Sequence, residues 1–184
     1  MKKSIFFAAL FIAALSFTSC EDETNGGSLK IDAKVVNGND YNDLIDEVRV
    51  ITMHVICEVP PTEVVSCDYK NGGFSLTLPK KVIESAYTFI NNGQTAMTNN
   101  IHANFYAYKN NECVGEFVYC SSDSEYFIVY YYAFKNGVAI LRVSEYDMGI
   151  EVILKKGWNT AYNGMSLQKP NVDFNWHFIP IKTL

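Results

Sequence analysis

Three histidines and five cysteines are the side chains of this 184-residue chain best suited to nucleophilic or metal chemistry, and their spacing organises neither. His54 sits inside a long apolar run, His102 near the start of another, and His177 on the polar side of a segment opposite Trp176, so no two are spaced as ligands on one element. Each is expected to be a satisfied or solvated imidazole. A thiol nucleophile would need an exposed cysteine activated by a histidine, whereas Cys57, Cys67, Cys113 and Cys120 all lie within or at the ends of apolar runs. No HExxH, paired CxxC, GxSxG, Walker or dinucleotide motif occurs. Asp40, Asp43, Asp46 and Glu47 form an acidic cluster of the type that can hold Ca²⁺, but their spacing matches no loop pattern, and turn formation and solvation account for them. The expectation is therefore no catalytic residue, no metal and no cofactor.

A binding surface is the more concrete reading. Asn136-Gly137 is the dipeptide best suited to a two-residue type I′ hairpin, because both central residues take positive φ. Folding on that turn sets Phe134 opposite Ala139, Tyr132 opposite Leu141 and Tyr130 opposite Val143, an apolar face that should be core. The other face then carries Phe127, Val129, Tyr131, Arg142, Ser144 and Tyr146, with Tyr131 directly across from Arg142 in cation–π reach. Phe127, Tyr131, Arg142 and Tyr146 are the candidate ligand or partner face, suited to a sugar or a protein; a sheet face partly covered by a loop is the competing reading.

Cys20 carries a different chemistry. Met1-Lys2-Lys3-Ser4 is basic, and Ile5 to Leu15 is an apolar run of about a dozen residues, as in a secretory signal. It is shorter than the about 20 residues of a membrane-spanning helix. Ser16, Thr18 and Ser19 precede Cys20 as in a lipobox, with Phe17 where an aliphatic residue is commoner. Residues 1–19 are expected to be removed as a lipoprotein signal peptide, and Cys20 to be diacylated as the new N-terminus. Glu21-Asp22-Glu23-Thr24-Asn25-Gly26-Gly27-Ser28 offers nothing apolar to bury, so 20–28 reads as a lipidated flexible tether. Residues 29–184 are long enough for one domain with a genuine core. The formal charge of −5, more negative once Lys2 and Lys3 leave, argues against nucleic acid and against anionic lipid surfaces. The only membrane attachment expected is the lipid.

The elements follow from periodicity. Leu29 to Val36 alternates apolar and polar, and Asn37-Gly38-Asn39-Asp40 turns it. Val48 to Val59 reads as a strand covered on both faces, ended by Pro60-Pro61, with Glu63 to Tyr69 as its return. Phe74 to Leu78 alternates cleanly after Asn71-Gly72-Gly73. Val82, Ile83, Ala86, Phe89 and Ile90 then recur at helical spacing between Pro79 and Asn91-Asn92-Gly93, predicting a short connecting helix. A meander follows: Ile101 to Lys109, Glu112 to Cys120, Glu125 to Lys135, Val138 to Tyr146 and Ile150 to Lys155. Asn110-Asn111 is a weaker hairpin signal than Asn136-Gly137. The last strand, Val172 to Ile179, puts Val172, Phe174, Trp176 and Phe178 on one face. On one strand Cys113 and Cys120 would be about 23 Å apart, far beyond disulfide reach. Cys57 and Cys67 can face each other across a hairpin; four buried free thiols is the preferred reading.

Many short strands without βαβ alternation predict an all-β fold, an antiparallel β-sandwich, Ig-like or transthyretin-like, with one short helix. A closed barrel is the alternative. The acidic run after Cys20, with Tyr69-Lys70-Asn71-Gly72-Gly73-Phe74-Ser75-Leu76-Thr77-Leu78-Pro79 and Leu154-Lys155-Lys156-Gly157-Trp158-Asn159, resembles uncharacterised Bacteroidetes β-sandwich surface lipoproteins. That resemblance implies an outer-membrane lipid anchor with the domain facing the cell exterior, and identifies no catalytic residue. The function expected is a non-enzymatic binding module for a glycan or protein partner; the alternatives are a structural or accessory subunit of an outer-membrane assembly and, last, an unmarked hydrolase.

Overall fold

The computed structural model describes residues 28–53, 61–82, 88–91, 94–97, 100–141, 150–163 and 166–181. Cys20, the signal segment and the tether up to residue 27 lie outside them, as do His54, Cys57, Arg142 and Tyr146.

β1 (Leu29–Lys34) keeps the predicted alternation: Ile31 and Ala33 are buried while Lys30, Asp32 and Lys34 face solvent. Its chain ends in a corner where Asn37 takes φ 54° before a 3₁₀ turn, Gly38–Tyr41. β2 (Glu47–Met53) buries Val48, Val50 and Thr52 but leaves Arg49 and Ile51 half-exposed, so the strand expected to be covered on both faces is fully covered on one. It lies between β3 (Thr62–Asp68) and, on its other edge, a strand far along the chain. β4 (Gly73–Leu78) pairs antiparallel with β1, placing Leu76 opposite Ile31 and Phe74 opposite Ala33. The turn before β4 uses Asn71 at φ 55° and Gly72 at φ 74°. It docks on the corner after β1: Tyr69 Oη donates to the Gly38 carbonyl (2.8 Å) and the Gly72 N–H to Asn42 Oδ1 (3.0 Å). A Cβ on Gly38 would collide with the Gly72 backbone.

The predicted helix is overturned where it is described. Thr88–Asn91 is strand β5, paired antiparallel with β6 (Gln94–Met97), and the register Asn91↔Gln94 leaves Asn92-Gly93 as the connecting dipeptide. Asn-Gly favours a tight hairpin turn as well as a helix end, and β-branched and aromatic Thr88, Phe89 and Ile90 suit a strand. Residues 83–87 of the same prediction lie outside the described residues. The 3₁₀ turn is the only helical element among the described residues.

β7 (Asn100–Lys109) and β8 (Glu112–Ser121) form the hairpin that Asn110-Asn111 predicts, with both asparagines at positive φ (50° and 67°). Asn136-Gly137 does not behave that way. β9 (Ile128–Ala133) pairs with β7 and with β12 (Gly157–Tyr162), whereas β10 (Gly137–Leu141) pairs with β11 (Ile150–Leu154), Gly137 lying opposite Leu154. Asn136 is not among the positive-φ residues and Gly137 stands at 153°. The β10–β11 hairpin is thus an excursion between two strands that pair directly, and β9 and β10 do not pair among the described residues. What replaces the local turn is burial: the β9–β12 ladder sets Trp158, 1 % exposed, against Tyr132, and its Nε1–H donates to the Pro79 carbonyl (2.9 Å). Asn136 instead accepts the Lys156 N–H through its side chain (2.6 Å).

β13 (Phe174–Pro180) pairs with β8. The result is a seven-stranded antiparallel sheet, β12-β9-β7-β2-β3 with β8 and β13 branching from β7, faced by the small β1–β4 sheet. A parallel bridge between Val35 and Trp176 joins the two. The all-β, antiparallel, sandwich-like fold agrees with expectation. The main core fills the space between the sheets with Ile31, Phe74 and Leu76 from one side and Val48, Val50, Phe105, Phe117 and Trp176 from the other. A second, smaller core of Tyr131, Ala133, Leu154 and Ala161 lies on the opposite face.

Two substitutions check this arrangement. Phe105→Ala should lower unfolding free energy by about 3–5 kcal/mol, the usual cost of emptying an aromatic site. Gly38→Ala should also destabilise, because two backbone segments meet there; equilibrium urea unfolding of both variants measures the outcome, and wild-type midpoints would contradict the packing described.

Candidate cleft at a fork in the large sheet

β7 shares one edge between two strands. β8 pairs with it from Lys109 to Phe105, and β9 from Ala103 to Asn100. Asn104 between them has its register partner only in β2, opposite Ile51. Past Phe117, β8 leaves β7 and continues along β13 to Ser121; the chain turns at residues 122–126 and returns to β7 only at Tyr130. Ser121 N–H donates to the Tyr126 carbonyl (2.7 Å), and Cys120 bridges Phe127, which closes the loop of this fork. Phe127 is held by exchange with Asn163, its N–H donating to Asn163 Oδ1 (2.9 Å) and its carbonyl accepting the Asn163 N–H (2.7 Å).

The gap is a cleft of about 240 Å³. Because adjacent strand residues point to opposite faces, both sides of the sheet line it: Phe105, Phe117, Tyr119, Tyr130 and Trp176 from the core side, His102, Asn104, Glu116, Val118, Val129 and Tyr131 from the other, with Phe127 at the loop. Glu116 is the only ionisable carboxyl in this lining, and no lysine or arginine contributes.

The phenols decide its chemistry. Tyr130 is 8 % exposed, and neither its hydroxyl nor that of Tyr119 has a hydrogen-bond partner among the described residues. Burial raises the Tyr130 phenol well above its ordinary range, and the nearby Tyr119 and Tyr162 phenols push it further. Burial also raises Tyr119, and pushes Tyr131 up to about 12. All three stay neutral at physiological pH and can both donate and accept. One strand away His177, in register with Val118, has a buried Nε2 without a partner.

The predicted face is only partly assembled. Tyr131 is 4 % exposed, lies opposite Asn159 and His102, and belongs to the second core, so it is not across from Arg142 on an open surface. Its face is covered by Leu154 and Val152 of β11. Phe127 is half-buried on the cleft wall; Arg142 and Tyr146 lie outside the described residues. A tyrosine–arginine contact of the expected kind does occur between Arg49 and Tyr108, 4.1 Å from guanidinium carbon to ring centroid. That arginine is already engaged by Glu47 and Asn111. Tyr119, Tyr130, Asn104 and Glu116 escaped the sequence reading because a fork joins residues from strands with no local signature; the Tyr130-Tyr131-Tyr132 run was the available hint.

Cys67, Cys113 and Cys120 are free thiols, and burial pushes the first up to about 11. Cys113 is exposed, against the expectation that all four would be buried. Cys113 and Cys120 share β8 as expected. In the acidic cluster, Asp46 accepts from Lys109 Nζ (2.7 Å) and from the Asn110 N–H (3.0 Å), and Glu47 from Arg49. No group of three or more His, Cys, Asp or Glu placed to hold a metal occurs among the described residues. No family model, curated protein or solved structure matches the chain, so its own geometry carries the functional reading.

Asp46 yields a pH prediction. The Lys109 and Asn110 hydrogen bonds hold its carboxyl below the ordinary 3.8. A depressed folded-state value means the contribution is present above the unfolded value and is lost as pH falls through the folded one. Asp46→Asn should therefore be less stable than wild type at pH 7, and the gap should close below about pH 4. Urea midpoints across that range test it; a gap independent of pH would show that the charge is not what stabilises the turn.

Proposed function

We propose that the chain is a non-enzymatic, lipid-anchored binding module of the bacterial outer membrane that faces the cell exterior and captures a glycan in the cleft at the fork. The observation that carries the reading is the cleft itself: a concave site walled by aromatic rings, bordered by Asn104 and Glu116, with two phenol hydroxyls that have no hydrogen-bond partner among the described residues. Ligand sites are typically concave, mostly apolar and marked by a few placed polar groups. Glycoside hydrolysis in its usual form needs two carboxyl groups flanking the bond, whereas this lining has Glu116 alone; that favours binding over catalysis. The anchor rests on Cys20 with the signal before it and the acidic, glycine-rich tether behind it.

An accessory subunit is the second reading, favoured by Ile179 and Ile181, 47 % and 56 % exposed at the end of edge strand β13. Exposed apolar positions on an edge suit a protein neighbour.

Two measurements separate these. Cys20→Ser should move the protein out of the membrane fraction, and its retention there would remove the anchor. On glycan arrays the full-length chain should bind, and Asn104→Ala and Glu116→Ala should each weaken that binding several-fold; array silence together with co-purification of a stoichiometric membrane partner would favour the accessory subunit.

A further inference from the structure

Resting on the glycan reading, we propose that the cleft is specific for one uncharged, hydroxyl-bearing sugar ring, whose hydroxyls bond to Tyr119 and Tyr130, and that it rejects anionic sugars. Size is the first constraint. A volume of about 240 Å³ falls below the roughly 300–1,000 Å³ of drug-sized ligand sites, so a single ring enters and the rest of a longer glycan stays outside.

Unmet hydrogen-bonding capacity is the second. The Tyr119 and Tyr130 hydroxyls are not sealed from solvent, unlike His177 Nε2, so a ligand hydroxyl can replace water on them. Tyr130 has its ring packed 5.8 Å from Phe105 and its hydroxyl unpaired among the described residues, and Tyr119 is stacked on Trp176 (4.9 Å between centroids, 12°) with its hydroxyl likewise unpaired. Both rings are fixed by packing while both hydroxyls remain available, the preorganisation that a hydrogen-bonding ligand exploits. A ring whose C–H groups lie against aromatic walls and whose hydroxyls meet phenols satisfies both halves of the lining.

Charge is the third. An anion entering would lose its water without meeting a lysine or arginine and would face Glu116. A neutral ring incurs neither cost. Phenols held neutral by burial reinforce this, since neither can supply or oppose a charge at physiological pH.

The test titrates the full-length chain with methyl glycosides of glucose, galactose, mannose and N-acetylglucosamine, and in parallel with glucuronate and N-acetylneuraminate, by saturation-transfer NMR and tryptophan fluorescence. At least one neutral glycoside should bind and the anions should not. Tyr119→Phe and Tyr130→Phe should each raise its Kd about 3- to 10-fold, as expected for loss of one hydrogen bond. The urea midpoints of these variants should stay at or above wild type, because neither hydroxyl has a partner to lose among the described residues. Neutral binding unchanged in both variants would overturn the role of the phenols and leave the glycan reading standing. Anions bound as tightly as the neutral sugars would overturn the charge rule alone, and binding of no sugar at all would overturn both the inference and the reading beneath it. A fall in midpoint for either variant would show that its hydroxyl is structural, which also contradicts the proposal.

Discussion

Four aromatic rings from four strands meet at the centre of the molecule. Phe74 of β4 packs 5.1 Å from Phe117 of β8 and 5.2 Å from Trp176 of β13, while Phe105 of β7 packs 5.0 Å from Trp176 and 6.2 Å from Phe74. Their tilted and edge-on geometries are those preferred by aromatic pairs, each worth about 0.5–1.5 kcal/mol beyond the area buried. The small β1–β4 sheet has only two strands and could not persist alone. It reaches the large sheet through Phe74, and through the Val35–Trp176 bridge beside it. The cluster therefore joins the two layers, and its demands propagate outward into the strand order.

One such demand produces the fork. Trp176 pairs with Tyr119 and Phe178 with Phe117 across the β13–β8 ladder. The Trp176–Tyr119 stack and the Tyr119–Phe174 contact at 5.7 Å hold the far half of β8 to β13. That half cannot also follow β7. The edge it vacates is taken over by β9, but only from Tyr130 onward, because Phe127 is pinned to Asn163 at the end of β12. A cleft is left where neither ladder reaches. The same rings that close the core thus open the site; Tyr130 belongs to the core and Tyr119 packs against it, and neither hydroxyl is bonded among the described residues.

Local signals in the sequence succeeded where the turn was the whole story. The alternation of β1 and β4, and the Asn110-Asn111 hairpin, need only neighbouring residues, and they fold as read. Asn136-Gly137 carries the stronger turn preference yet yields to the β9–β12 ladder, which is set by Trp158 and Ala161, more than twenty positions downstream. Tyr131 does lie on the face opposite Tyr130 and Tyr132, as the alternation predicts, but Leu154 and Val152 of β11 cover that face. At Asn92-Gly93 the error ran the other way, a hairpin dipeptide being taken for the end of a helix because Val82, Ile83, Ala86 and Phe89 happen to fit a helical period. In each case the competing structures differ in long-range burial, which a window of neighbours does not contain. The cleft was illegible for the same reason: Asn104, Glu116, Tyr119 and Tyr130 come from three strands and adjoin only because two ladders part.

The fork also explains why a site can exist on so small a sandwich without a long loop to build it. Binding residues usually sit on loops carried by a rigid scaffold, and such loops lose conformational entropy when they close on a ligand. Here the walls are strands already ordered by the core, and Tyr119 and Tyr130 are held by Trp176 and Phe105 before any ligand arrives. The interrupted edge at Asn104 gives up ladder hydrogen bonds that an unbroken pairing of β7 would make. The β10–β11 excursion works against that loss, since Leu154 and Val152 cover the far face of the sheet around Tyr131 and Ala161. A cleft backed in this way is stiff, and its selectivity follows from which groups cannot move to meet an ill-fitting ligand.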